Sequence, residues 1–128
     1  MNKEIVYTDK APGVVGPYSQ AVKAGNFLFT AGQIALEPGT GKMLNGDVQT
    51  ETERVLENLK AVLEAAGSSF DHVVKSTVLL ADMADFGAMN EVYGRYLPHH
   101  PPARTTYQAG SLPLGAKVEI ELIAIIPE

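Results

Sequence analysis

Cysteine is absent from all 128 residues. That excludes disulfides, a thiolate nucleophile, iron–sulfur clusters and cysteine-based zinc sites. Basic clusters are absent too: 15 acidic side chains face 10 lysines and arginines, for a net charge of −5, and no run of cations occurs. Binding to a phosphate backbone draws on counterion release, which needs clustered cations, so nucleic acid is a poor partner. Long hydrophobic runs are missing as well. The longest near the C-terminus, Leu122 to Ile126, is far short of a bilayer span. The residues after Met1 turn polar within ten positions, without the apolar stretch of a signal peptide. A cytoplasmic protein with no membrane partner is expected. With no repeat, low-complexity tract or linker, residues 1–128 read as one domain. At 45% hydrophobic and 20% charged residues, a chain of this size buries roughly two-thirds of its unfolded surface, enough for a core without covalent staples.

The pattern of what is present gives the elements. Gly25-Asn26 lies between Ala21–Lys23 and Phe27–Thr30 and reads as a hairpin turn, because both residues tolerate positive φ. Glu37-Pro38-Gly39-Thr40-Gly41 is a loop by composition. Val55, Leu59, Val62 and Ala66 recur at helical spacing, which predicts a helix over about 48–66. Asp47 is its candidate N-cap, Thr50-x-x-Glu53 an alternative capping box, and Gly67 its C′ residue. Val73–Leu80 reads as a buried strand. Asp85 is the candidate cap of a second helix with Met89, Val92, Tyr93 and Tyr96 inward, and Pro98 stops it. Arg104–Ala109 and Ala116–Ile126 complete the strands. In the last, Val118, Ile120, Leu122, Ala124 and Ile126 share one face, and Lys117, Glu119, Glu121, Ile123 and Ile125 the other. The order β-β-α-β-α-β-β predicts an α+β domain, a mixed sheet with two helices on one face and a final strand pair closing it. Ile123 and Ile125 would then sit on the uncovered face. No third layer is available to cover them, so oligomerisation is expected.

Several short motifs fail. Gly39-Thr40-Gly41-Lys42 has Leu36 where a phosphate loop needs glycine and Met43 where it needs Ser or Thr, so it is a plain turn. His99-His100 point apart on an extended segment with no third ligand at zinc-like spacing. They read as exposed loop residues, and no metal site is expected. No serine sits in a nucleophile elbow, and no glycine fingerprint follows a strand.

Two residues stand out. The three arginines are Arg54, Arg95 and Arg104. Arg54 reads as a solvated helix residue, and Arg95 as a favourable charge at a helix C-terminus. Arg104 follows Pro101-Pro102-Ala103 and opens a strand, where rigid backbone aims a guanidinium suited to gripping a carboxylate. Glu119 lies inside an apolar strand, so it is either paired or has a raised pKa. A structural Arg–Glu ion pair and a catalytic site both fit these features. Glu121 reads as the structural partner of a lysine.

A resemblance joins them. Gly16-Pro17-Tyr18-Ser19-Gln20-Ala21, Phe29-Thr30-Ala31-Gly32-Gln33-Ile34, Leu63-Glu64-Ala65-Ala66-Gly67, Val74-Lys75-Ser76-Thr77-Val78, Asn90-Glu91-Val92-Tyr93, Pro102-Ala103-Arg104-Thr105 and Val118-Glu119-Ile120-Glu121 occur in that order. Together they resemble the RidA/YjgF/L-PSP family of imine deaminases over essentially the whole chain. The resemblance implies a chorismate-mutase-like α+β fold, assembled as a homotrimer with ligand sites between adjacent subunits. It implies hydrolysis of reactive 2-imino acids, such as 2-iminobutanoate and 2-iminopropanoate, to 2-oxo acids and ammonia, with no metal or organic cofactor. Arg104 matches the family's carboxylate-binding arginine, and Glu119 the carboxylate that positions or activates water. Tyr18 and Asn90 match pocket-lining polar residues, each with a purely structural reading as core tyrosine or helix-end hydrogen-bonder. The backbone of Ala31 and Gly32 lies where the family contacts ligand, and Thr106 stands where many relatives have cysteine. Ala31 in place of serine, Thr105 in place of serine and Thr106 in place of cysteine are departures that bear on substrate range. A non-catalytic trimer that binds small carboxylates is the alternative. A ribonuclease or translation inhibitor, an activity ascribed to some relatives, is disfavoured by the net charge.

Overall fold

The computed structural model describes residues 2–128. Strands β1 (Lys3–Val6), β2 (Ala21–Ala24) and β3 (Phe27–Thr30) precede helix α1 (Val48–Ala65). Strand β4 (Val73–Leu80), helix α2 (Phe86–Tyr96), β5 (Ala103–Gln108) and β6 (Val118–Ile125) follow. The sheet is mixed and six-stranded, in the order β1-β2-β3-β6-β4-β5. Only β4 and β5 run parallel; every other pairing is antiparallel.

The α+β architecture with two helices is the one the periodicity predicts, and two details differ. Strand β1 is an additional strand, paired with β2 from Lys3↔Ala24 to Val6↔Ala21. It is four residues long with only Val6 buried, so no apolar alternation marks it. The final two strands do not pair with each other, because β4 lies between them. β4 and β5 are joined through α2, the long crossover that a parallel pair needs.

Helix α1 begins where Asp47 accepts a hydrogen bond from the Thr50 N–H at 2.8 Å, so Asp47 caps it and the alternative capping box is not used. It ends at Gly67, which takes φ +82°, a conformation glycine adopts freely. Its buried stripe of Val55, Leu56, Leu59, Val62 and Leu63 packs with Met89 and Val92 of α2 and with Leu28, Val78, Ile120 and Leu122 of the sheet. Burying each large aliphatic side chain contributes about 1.5–3 kcal/mol. Arg54 is half-buried, its Nε donating to Asn58 Oδ1 at 3.2 Å, rather than free in solvent.

The other sheet face carries no helix. Phe27 and Phe29 of β3 lie opposite Ile125 and Ile123 of β6, while Leu28 and Ala124, between them, point into the core. The result is an apolar patch on the uncovered side of the sheet.

Candidate active site

On β5 the register sets Arg104 beside Ser76 of β4, and Ser76 points toward the helices. Arg104 emerges on that side, and its guanidinium carbon lies 4.8 Å from the Tyr93 ring centre and 5.5 Å from that of Phe86. Phe86, Asn90 and Tyr93 fall on one face of α2 through their spacing of four and three residues. Thr106, two residues beyond Arg104, shares its strand face. Among the described residues, no carboxylate lies within ion-pair distance of Arg104. The ion pairs among the described residues are Lys23–Glu4, Arg95–Glu91 and Lys117–Glu51. Asn90 Oδ1 and Thr106 Oγ1 are buried without a hydrogen-bond partner. A buried unpaired polar group costs about 1–3 kcal/mol. Here two of them cluster at one end of the sheet with an arginine that has no anionic partner. Asn90 therefore does not serve as a helix-end hydrogen-bonder through its carbonyl.

Glu119 is on β6, between Val118 and Ile120, which both turn into the core. Its side chain therefore takes the other face of the sheet. The backbone at Gly32 runs directly against it: a Cβ there would collide with the Glu119 carboxylate and lie 2.9 Å from its Cδ. Glycine at 32 is what permits this approach. A two-bond bridge holds the segment in place, with Gln33 N–H donating to Ile120 O at 2.9 Å and Ile120 N–H to Gln33 O at 3.1 Å. Across from it, residues 12–18 are anchored by Gln20. Gln20 accepts from Thr8 N–H at 2.7 Å and donates to the Thr8 and Pro12 carbonyls at 2.9 Å each. Between these walls lies a cavity of about 410 Å³ lined by Pro12, Val14, Tyr18, Gly32, Leu114 and Glu119, among others. Burial pushes the Glu119 carboxyl above the usual carboxylate range, and the like charge of Glu121 adds to it. Glu121 forms no ion pair with a lysine, contrary to the expectation from sequence.

The family model described as Endoribonuclease L-PSP matches residues 8–126. The chain belongs to the RidA/YjgF/L-PSP family. It is 50% identical over 126 residues to Reactive Intermediate Deaminase A, chloroplastic, of Arabidopsis thaliana, covering 98% of this chain and 67% of that protein. It is 47% identical over 123 residues to the 2-iminobutanoate/2-iminopropanoate deaminase of Mus musculus, covering 96% and 91%. The crystal structure of E. coli TdcF with bound serine superposes with a TM-score of 0.89 at 42% identity, covering 95% of this chain and 98% of that one.

Within one copy of this RidA-family chain, the residues singled out from sequence fall into two groups. Tyr18, Gly32 and Glu119 line one cavity. Tyr18 is 50% exposed, so it is not a core tyrosine. Asn90, Arg104 and Thr106 form the other group, against α2. Ala31 joins neither, since it does not line the cavity, and its N–H donates to the Gln20 carbonyl at 2.9 Å. The groups lie on opposite sides of the sheet. Arg104 is level with Ser76, which faces the helices, whereas Glu119 is level with Leu79, which faces away. The ion pair between Arg104 and Glu119 that sequence left open is not formed. Sequence reading missed Phe86 as a neighbour of Arg104; its signal was the helical spacing to Asn90 and Tyr93. It also missed Leu114, a non-glycine residue at φ 55° and a conformation that costs energy and concentrates at functional sites. A second depression of about 250 Å³, between α1 and α2, contains none of these residues. His99 and His100 are exposed. Among the described residues, no helix is long and apolar enough to cross a membrane.

Proposed function

We propose that this protein hydrolyses reactive 2-imino acids, such as 2-iminobutanoate and 2-iminopropanoate, to 2-oxo acids and ammonia, removing intermediates shed by pyridoxal-phosphate enzymes. The site is assembled between adjacent copies in a homotrimer. One observation carries the reading. An arginine without an anionic partner lies on one side of the sheet, and a carboxylate with a raised proton affinity lines a cavity on the other. Each is half of what imine hydrolysis requires. The imine deaminase names of the relatives support the chemistry. The serine held by E. coli TdcF supports a site sized for a small carboxylate.

Arg104 of one copy grips the substrate carboxylate through two parallel N–H···O bonds. Asn90 and Thr106 beside it supply hydrogen bonds to the substrate's polar end. Glu119 and Tyr18 of the next copy close the other side. The protonated imine carbon is already electrophilic, so the protein's task is to position one water and accept its proton. Glu119 takes that proton as the water oxygen bonds to carbon. Glu119 returns that proton to the nitrogen of the tetrahedral carbinolamine and then takes the hydroxyl proton as ammonia leaves, giving the 2-oxo acid. Substrate and water together account for every atom of the products, so no cofactor is called for.

The test is a threonine dehydratase assay following 2-oxobutanoate release. Wild type accelerates release, whereas Arg104→Ala and Glu119→Ala do not. No acceleration by folded wild-type protein would overturn the reading. Carboxylate binding that survives Glu119→Ala, without wild-type turnover, would instead identify a non-catalytic binding trimer, for which the Arg104 group alone suffices.

A further inference from the structure

We infer that Phe86 and Tyr93 are positioning residues for Arg104, which they hold as an unneutralised cation with its N–H edges free for a carboxylate. The inference rests on the proposed role of Arg104 and explains how this chain keeps that role available. A resident acid would have to be displaced before a substrate acid could bind. Here aromatic faces take the place of the acid. The guanidinium carbon is 4.8 Å from the Tyr93 ring centre and 5.5 Å from that of Phe86, inside the range where ring quadrupoles attract a cation. Rings attract the charge without using the N–H donors, which lie in the guanidinium plane and are what a carboxylate needs.

The rings are themselves fixed. Tyr93 is buried, and its hydroxyl shares a 2.7 Å hydrogen bond with Ser76 Oγ. Ser76 is fully buried and is the register neighbour of Arg104 on the adjoining strand. Strand, hydrogen bond and ring therefore form a closed loop that returns to the arginine's own backbone position. Phe86 opens α2 and is half-buried. It can be changed without opening the core.

The experiment measures Kd for 2-oxobutanoate by calorimetry, together with KM and kcat, in wild type, Phe86→Leu, Phe86→Trp and Tyr93→Phe. Leucine keeps the apolar contact and loses the ring. Phe86→Leu is expected to raise Kd and KM about three- to tenfold, with kcat changed much less. Phe86→Trp restores wild-type affinity, because tryptophan is the best cation–π partner. Tyr93→Phe keeps the ring but loses its tether, so it weakens binding less than Phe86→Leu while lowering the melting temperature. A merely structural role would shift melting temperatures and leave Kd alone. Wild-type affinity in Phe86→Leu, or equal weakening by leucine and tryptophan, overturns the inference while leaving the deaminase reading intact. Failure of wild type to bind or turn over any carboxylate overturns both.

Discussion

Gly32 has no space for a side chain. The Glu119 carboxylate occupies the place where a Cβ would go, and the bridge between Gln33 and Ile120 keeps the backbone from retreating. The family resemblance gives Gly32 a backbone contact with ligand; the packing adds that its missing side chain sets the position of Glu119. Gly32→Ala should therefore push the carboxylate out of line without disturbing the core, since Gly32 is exposed. We expect kcat to fall by at least about tenfold, the order seen when a catalytic group is misplaced, with the Kd for 2-oxobutanoate nearly unchanged because Arg104 is untouched. Kinetics and calorimetry on the same preparation check this. The protonation of Glu119 gives a second prediction. Burial raises its pKa, and Glu121 raises it further. A base works only when ionised, so activity should fall on acidification through this raised value, at higher pH than an ordinary glutamate would give. Glu121→Gln removes the like charge. It should move the acid limb of the kcat profile part of the way to lower pH, and the burial contribution remains. An unmoved limb would take Glu119 out of the role of base.

At the scale of elements, the start of β6 is tied to the start of α1 by one side chain. Glu51 is fully buried in the first turn of α1. It accepts the Lys117 N–H at 2.8 Å and lies 3.5 Å from the Lys117 ammonium. Lys117 is two residues from Glu119, so this contact sets the height at which β6 begins. Glu51→Ala leaves the half-buried Lys117 N–H without this acceptor and should cost about 1–3 kcal/mol, read from the urea midpoint at fixed protein concentration. Glu51→Gln keeps an acceptor and should lose less. The elements themselves were largely legible in the sequence. Helical spacing gives α1 and α2, Asp47 and Gly67 mark the ends of α1, and alternation in Val118–Ile125 gives the inward and outward faces of β6; Asp85, at the start of α2, makes no capping hydrogen bond. β1 was not legible, because Lys3-Glu4-Ile5-Val6 offers one buried residue and no alternation. Nor was the insertion of β6 between β3 and β4, since which strands pair is decided by long-range packing rather than by any local pattern. Glu121 was misread for a related reason. Its strand neighbour on β4 is Thr77, and sequence spacing alone could not say so.

At the scale of the molecule, the candidate groups could be named from the sequence but not placed. Arg104 and Glu119 stand out by backbone context, yet only the register of three strands reveals that the sheet separates them. The same sheet leaves Phe27, Phe29, Ile123 and Ile125 on a face without helices, an apolar surface that a second copy of the chain would cover. Both facts fit the proposed assembly, in which one copy would supply the anchor and its neighbour the base. The sharpest consequence is complementation. Arg104→Ala and Glu119→Ala proteins should each be inactive alone. When they are unfolded together in equal amounts and refolded, a site whose anchor comes from a Glu119→Ala copy and whose base comes from an Arg104→Ala copy has both groups intact. With random mixing in a closed ring, about a quarter of sites meet that condition, so the mixture should regain about a quarter of wild-type activity. If the site lay within a single chain, every copy would still lack one group and nothing would return. Mass measurement of the refolded assemblies shows whether mixed species are present, and mixed species without activity would sink the shared site.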